Sequence, residues 1–156
     1  IDSTSVREPV TMSSDDAAGI LLRFSNGARA TISISQVSSG RKNSINWEIS
    51  GPDGSLAFDS ENPEQLWIGH RGRANEVLHK EPGMLSPDAA KTAFYPGGHV
   101  EGFSETFRGL FERVYEDINK GTRSHSYPTF ADGVKSLEIT DAIAQSSKNS
   151  AWVKIT

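Results

Sequence analysis

Apolar and polar positions alternate with a period of two through the first half of the chain and repeat at helical spacing through the second. Ala18, Ile20, Leu22 and Phe24 fall on one side of a predicted strand over 17–24, with Leu21 and Arg23 on the other. Asn26-Gly27 follows, a pair that favours a tight hairpin turn. Ala28, Ala30, Ile32 and Ile34 then alternate with Arg29, Thr31, Ser33 and Ser35, giving one apolar and one polar face. After a polar loop over 39–43, Ile45, Trp47 and Ile49 alternate with Asn46, Glu48 and Ser50. Gly51-Pro52-Asp53-Gly54 is a turn by composition, and Leu56 and Phe58 carry the pattern on. Shorter strands are predicted at 65–68 and 76–79, completing an antiparallel meander with one apolar face.

The stretch from Glu81 to Gly98 is rich in proline, glycine and small residues and reads as a long loop. Beyond it, Phe103, Phe107, Leu110, Phe111, Val114, Tyr115 and Ile118 take the spacing of one helix face, with Gly121 at the C-cap. A second helix is predicted after Thr129, with Asp132 in its first turn where the dipole favours an acid, running to about Ser147. Trp152–Ile155 is predicted as a last strand. Strands first and helices after predict an α+β fold: an open, mainly antiparallel β-sheet with helices packed on one face. The polar strand side, with Arg29, Thr31, Ser33, Ser35, Asn46 and Glu48, is either solvated or a wet interface with another subunit.

The length of 156 residues suits a single domain over 1–156, and 35% hydrophobic with 23% charged residues suits a packed core. The net charge of -4, with signs interspersed, argues against a phosphate-tracking surface, so no nucleic-acid partner is expected. No apolar run is long enough to span a bilayer, and no membrane partner is expected. The absence of cysteine excludes disulfides, thiolate metal sites and a cysteine nucleophile, and it fits a reducing cytoplasm. The start at Ile1 lacks both a signal peptide and an initiating methionine, and is read as the start of a piece of a longer chain.

Direct signs of catalysis are missing. Gly97-Gly98 has no strand leading into it at dinucleotide-binding spacing, and no P-loop or nucleophile elbow appears. None of the four histidines pairs with another at helical ligand spacing, so no metal is expected. His70, His79 and His125 read as exposed surface residues. His99 stands in Tyr95-Pro96-Gly97-Gly98-His99-Val100-Glu101-Gly102, where glycines allow the backbone a close approach. Its imidazole could bond a substrate hydroxyl, or it could be a histidine at a helix start that bonds backbone. Arg41-Lys42-Asn43 is a short basic loop, either a solvated turn or a contact for a phosphate or polyol. Trp47, Trp67 and Trp152 read as core or interface residues rather than sugar platforms. Glu61 and Glu64, beside Pro63, are not read as an acid/base pair.

Three stretches together resemble one family. They are Asp15-Asp16-Ala17-Ala18 with Ile20–Phe24 and Asn26-Gly27; Gly40–Asn43 with Trp47-Glu48-Ile49 and Gly51–Phe58; and Gly98–Phe103 with Pro128–Gly133 and Trp152-Val153. In order and spacing they are similar to the C-terminal domain of the Gfo/Idh/MocA oxidoreductases, from about Asp15 onward. The resemblance implies a parent enzyme that uses NAD or NADP on sugars, cyclitols and related polyols, with an N-terminal Rossmann domain absent from this chain. The family's catalytic lysine, aspartate and histidine would lie upstream of Ile1, so no catalytic and no cofactor-binding residue is assigned here.

What remains for this chain, by the resemblance, is a wall of the sugar or polyol pocket and a subunit interface. His99 is the expected substrate-binding residue, with Tyr95 and Arg41 beside it. Self-association is expected through the open sheet face. The isolated chain is expected to bind no nicotinamide cofactor and to be inactive. The other reading is a non-catalytic sugar-binding or assembly module.

Overall fold

The structure is a computed structural model that describes residues 9–124 and 126–155. His125, expected at the surface, lies outside the described residues. The chain divides into two compact units. One runs up to Arg41 and takes in Ala142–Lys154; the other takes in Lys42–Asp141.

In the first unit, β1 (Ala17–Arg23) and β2 (Arg29–Ser35) form an antiparallel two-stranded sheet. The register pairs Ala18 with Ile34, Ile20 with Ile32 and Leu22 with Ala30, so the predicted apolar positions do share one face. Phe24 and Ala28 close the hairpin, with the Phe24 N–H donating to the Ala28 carbonyl at 3.0 Å and the Gly27 N–H to the Phe24 carbonyl at 3.0 Å. Gly27 takes φ +89°, and the Asn26 side-chain oxygen accepts from the Ala28 N–H at 3.0 Å. This is the three-residue loop in which a left-handed glycine follows a turn, and it explains the Asn-Gly pair. Ile20 and Ala142 are the buried apolar residues of this unit among those described.

In the second unit, β3 (Asn46–Ser50), β4 (Gly54–Asp59), β5 (Gln65–His70) and β6 (Glu76–His79) form an antiparallel meander in sequence order. Trp47, Phe58, Leu66 and Leu78 lie in one row across the four strands, and Ile49, Leu56 and Ile68 in the next row on that face. Trp47 stacks on Phe58 with ring centroids 5.7 Å apart. The antiparallel strands thus pair in sequence order within each unit, β1 with β2 and β3 through β6.

The region read as a plain loop holds two short helical pieces. A 3-10 turn, Pro82–Met84, starts after Glu81, and α1 (Pro87–Ala90) starts after Ser86. Each has proline at its first turn, where the missing N–H costs nothing, and a side-chain oxygen at the N-cap.

Helix α2 (Phe103–Lys120) ends at Gly121 in the left-handed conformation, as predicted. Its expected apolar face is split. Leu110 and Val114 are half-buried, whereas Phe103, Phe107, Phe111, Tyr115 and Ile118 are exposed. Helix α3 (Phe130–Asn149) starts where the sequence places it. Thr129 and Asp132 cap it reciprocally: the Asp132 carboxylate accepts from the Thr129 N–H at 2.8 Å, and the Asp132 N–H reaches the Thr129 hydroxyl at 3.4 Å.

Residues 152–155 are not a strand. Alternation suits a strand only where a neighbouring strand accepts it, and here Trp152 lies instead beneath the Arg23 guanidinium, 4.2 Å from the ring centroid.

Candidate functional site and family membership

His99 and Tyr95 share one tightly tied loop in the second unit. Pro96-Gly97-Gly98-His99 is a β-turn closed by the His99 N–H donating to the Pro96 carbonyl at 3.2 Å. Gly98, its third residue, has φ +81°, a conformation a side chain would strain. Gly97 sits hard against the chain before it. A Cβ there would stand 3.0 Å from a Glu81 carboxylate oxygen and 3.1 Å from the Lys80 carbonyl.

The two ends of the loop are held by charge. Glu101 Oε1 accepts the backbone N–H of Phe94 at 2.6 Å and also that of Tyr95. The Lys80 ammonium donates to the His99 carbonyl at 2.7 Å. The same ammonium lies 3.1 Å from Glu64 Oε2 and 3.5 Å from Glu101 Oε1. Glu64 Oε1 accepts the Glu101 N–H at 2.9 Å. All three charged side chains are largely covered, with 13%, 18% and 11% of Lys80, Glu64 and Glu101 exposed. Burial pushes the Glu64 carboxyl up. The Glu101 N–H and the adjacent Lys80 outweigh it and hold the group below its usual range, and charge on His99 acts in the same direction. The Arg108 guanidinium covers Phe94, 4.1 Å from its ring centroid. A cavity of ≈ 460 Å³ adjoins the loop, lined among others by Phe58, Phe94, Glu101, Glu105, Leu110 and Tyr127. The Tyr95 and His99 side chains themselves are exposed.

Arg41 belongs to the other unit, in the loop before β3, and is exposed, with its backbone N–H donating to the Ser38 carbonyl at 3.2 Å. The structure thus brings His99 and Tyr95 together on one loop. His79 is exposed as expected, but His70 is mostly covered, with its Nε2 3.3 Å from Glu76. The tryptophans are not core residues: Trp47, Trp67 and Trp152 are 40%, 36% and 56% exposed. Sequence reasoning missed Glu64, Lys80 and Glu101 as a group. Its one local trace is Glu101 itself, a carboxylate placed directly after the Gly-Gly-His turn.

The start of α2 does not suit a dinucleotide phosphate. Its Gly102 N–H is already taken by the Glu105 carboxylate at 2.8 Å, and Glu101 stands next to it. A pyrophosphate would meet two carboxylates where such sites present free N–H groups. Among the described residues no group of three or more acidic or histidine side chains could hold a metal ion. No helix among them is long and apolar enough to cross a membrane.

The family pattern described as the C-terminal alpha/beta domain of the oxidoreductase family, GFO_IDH_MocA_C, matches residues 2–155. The chain belongs to this family. Its α+β architecture, with open antiparallel sheet and helices, agrees. It is 28% identical over 151 residues to a levoglucosan dehydrogenase from Pseudarthrobacter phenanthrenivorans, covering 90% of this chain and 36% of that protein. It is similar in structure to an oxidoreductase from Sinorhizobium meliloti, with TM-score 0.84 and 30% identity over 91% of this chain and 42% of that one. An inositol dehydrogenase homologue from Azotobacter vinelandii, complexed with NADH and myo-inositol, superposes with TM-score 0.76 and 26% identity over 90% of this chain and 39% of that one. The chain thus spans well under half the length of these relatives.

Proposed function

We propose that this domain serves an NAD(P)-dependent sugar or polyol dehydrogenase, supplying one wall of the substrate pocket and a subunit interface. The Tyr95–His99 loop carries the proposal. Its backbone is tied at both ends while two polar side chains stay exposed. A loop so fixed presents hydrogen-bonding groups without a further backbone ordering cost at the moment of binding. His99 is assigned to bond a substrate hydroxyl, with Tyr95 beside it; Arg41, in the other unit, is kept as a separate candidate polyol contact. Relatives that carry NADH with levoglucosan or with myo-inositol support a nicotinamide cofactor and a small neutral polyol substrate. Cofactor and proton-transfer groups are assigned outside this chain, which would be inactive alone, and the enzyme is assigned to the cytoplasm. The polar side of β1 and β2 is assigned to self-association.

The test is steady-state kinetics of His99→Ala in the full-length protein, with NAD+ or NADP+ and a panel containing levoglucosan and myo-inositol. Loss of one such bond is expected to lower kcat/KM by roughly ten- to a hundred-fold, about 1.5–3 kcal/mol for a charged partner or one buried by the bound substrate. Unchanged kinetics with intact folding would remove His99 from the pocket wall.

A further inference from the structure

The polar cluster under the loop is an unusual place to find three charges. Lys80 comes from the end of β6, Glu64 from the turn before β5, and Glu101 from the residue pair that precedes α2. Each is mostly covered, and covered charges are costly unless every one is matched. Here the matching runs through the backbone of the loop. Lys80 reaches the His99 carbonyl, Glu101 reaches the Phe94 and Tyr95 N–H groups, and Glu64 reaches the Glu101 N–H. The cluster pairs internally through Lys80, and beyond that pairing Lys80 and Glu101 place hydrogen bonds on the segment that carries the two candidate substrate contacts.

We propose that Lys80, clamped between Glu64 and Glu101, is a positioning residue that sets the place of His99 and Tyr95 for a polyol substrate. This rests on the assignment of His99 to the substrate pocket. Lys80 acts through the loop backbone and need not touch substrate. Removing its ammonium frees the His99 carbonyl and leaves two carboxylates facing each other without a counter-charge. The loop then relaxes, and a misplacement of about 1 Å is enough to cost a bound substrate much of its orientation.

The experiment uses the full-length protein with the best substrate of the levoglucosan and myo-inositol panel. Lys80→Met keeps the length of the side chain and deletes the charge. It is expected to raise the substrate KM roughly ten-fold while leaving the cofactor KM within about two-fold. Hydrogen exchange of peptides covering 93–102 should accelerate, with exchange elsewhere unchanged. The double variant Lys80→Met/His99→Ala should lose less than the product of the two single losses, because part of the Lys80→Met effect is exerted through the His99 contact that His99→Ala has already removed. Multiplying effects would mean that Lys80 supports the fold generally, and an unchanged substrate KM in Lys80→Met would overturn the proposal outright.

Should Lys80→Met fail to fold, Glu101→Gln keeps an acceptor for Phe94 and Tyr95 but loses the charge facing Lys80. It is expected to raise the substrate KM by about three-fold, and equal KM values would count against the clamp. If His99→Ala itself leaves kinetics unchanged, it is the pocket assignment that fails. If His99→Ala is impaired and Lys80→Met is not, the pocket stands and the positioning role falls.

Discussion

Asp117, buried near the end of α2, accepts the backbone N–H of Ser124 at 2.7 Å. The Ser124 hydroxyl adds a second bond at 3.0 Å, and the Thr122 hydroxyl a third at 2.9 Å to the other carboxylate oxygen. The link between α2 and α3 is thus folded around one acid. Burial raises the Asp117 pKa, while the Ser124 N–H and the Thr122, Ser124 and Tyr127 hydroxyls together lower it further, leaving it below the usual range. Tyr127 is pushed up by its own burial and by the same carboxylate.

A carboxyl whose folded pKa is depressed stabilises the protein above its unfolded pKa, about 3.9 for aspartate. That contribution is lost as pH falls through the folded value. Asp117→Asn should therefore lower Tm by several degrees near neutral pH, and the gap to wild type should begin to narrow below about pH 4 and shrink further as pH falls through the folded value. Thermal melts of both proteins from neutral to acid pH would show it; a gap independent of pH would mean that the charge plays no part.

The cap of α3 gives a second expectation. Thr129→Ala removes the hydroxyl that accepts from the Asp132 N–H and donates to its carboxylate at 2.7 Å. The expected loss is about 1 kcal/mol of stability, read from urea unfolding midpoints, whereas Thr129→Ser should recover most of it.

Strands and helices were legible because each is written locally. The alternation from Ala18 to Ile34 survives intact as paired positions on one face, and Thr129 caps the helix it was expected to cap. The loop clamp was not legible. Glu64, Lys80 and Glu101 are far apart in sequence, and an ion pair between distant residues leaves no period to detect. By sequence alone Glu64 is only a carboxylate in a turn. Trp152–Ile155 failed for the converse reason: alternation describes a strand's own faces and says nothing of whether a neighbour is there to pair with it. His99 is legible because its flanking glycines are a local signal, and Gly98 does adopt the positive φ that favours glycine.

Self-association can be tested on the polar side of the β1–β2 sheet, where Gly19 pairs with Ser33 and Leu21, 63% exposed, pairs with Thr31. An interface there should tolerate no fixed charge at its centre, since an unpaired buried charge is costly. Light scattering of the domain at tens of micromolar is expected to give a dimer, and Ser33→Glu a monomer. The same mass for both proteins would exclude this face.

Shielding from solvent has a consequence for the Lys80 clamp in brine. Dissolved ions weaken exposed pairs such as Arg108–Glu112 on α2, where both partners are about half exposed. The Debye length is about 10 Å at 0.1 M salt and about 3 Å at 1 M, yet that attenuation requires ions to crowd around the charges. Lys80, Glu64 and Glu101 are too well covered for that. The helix surface should lose its ion pairing as salt rises while the Tyr95–His99 loop keeps its shape.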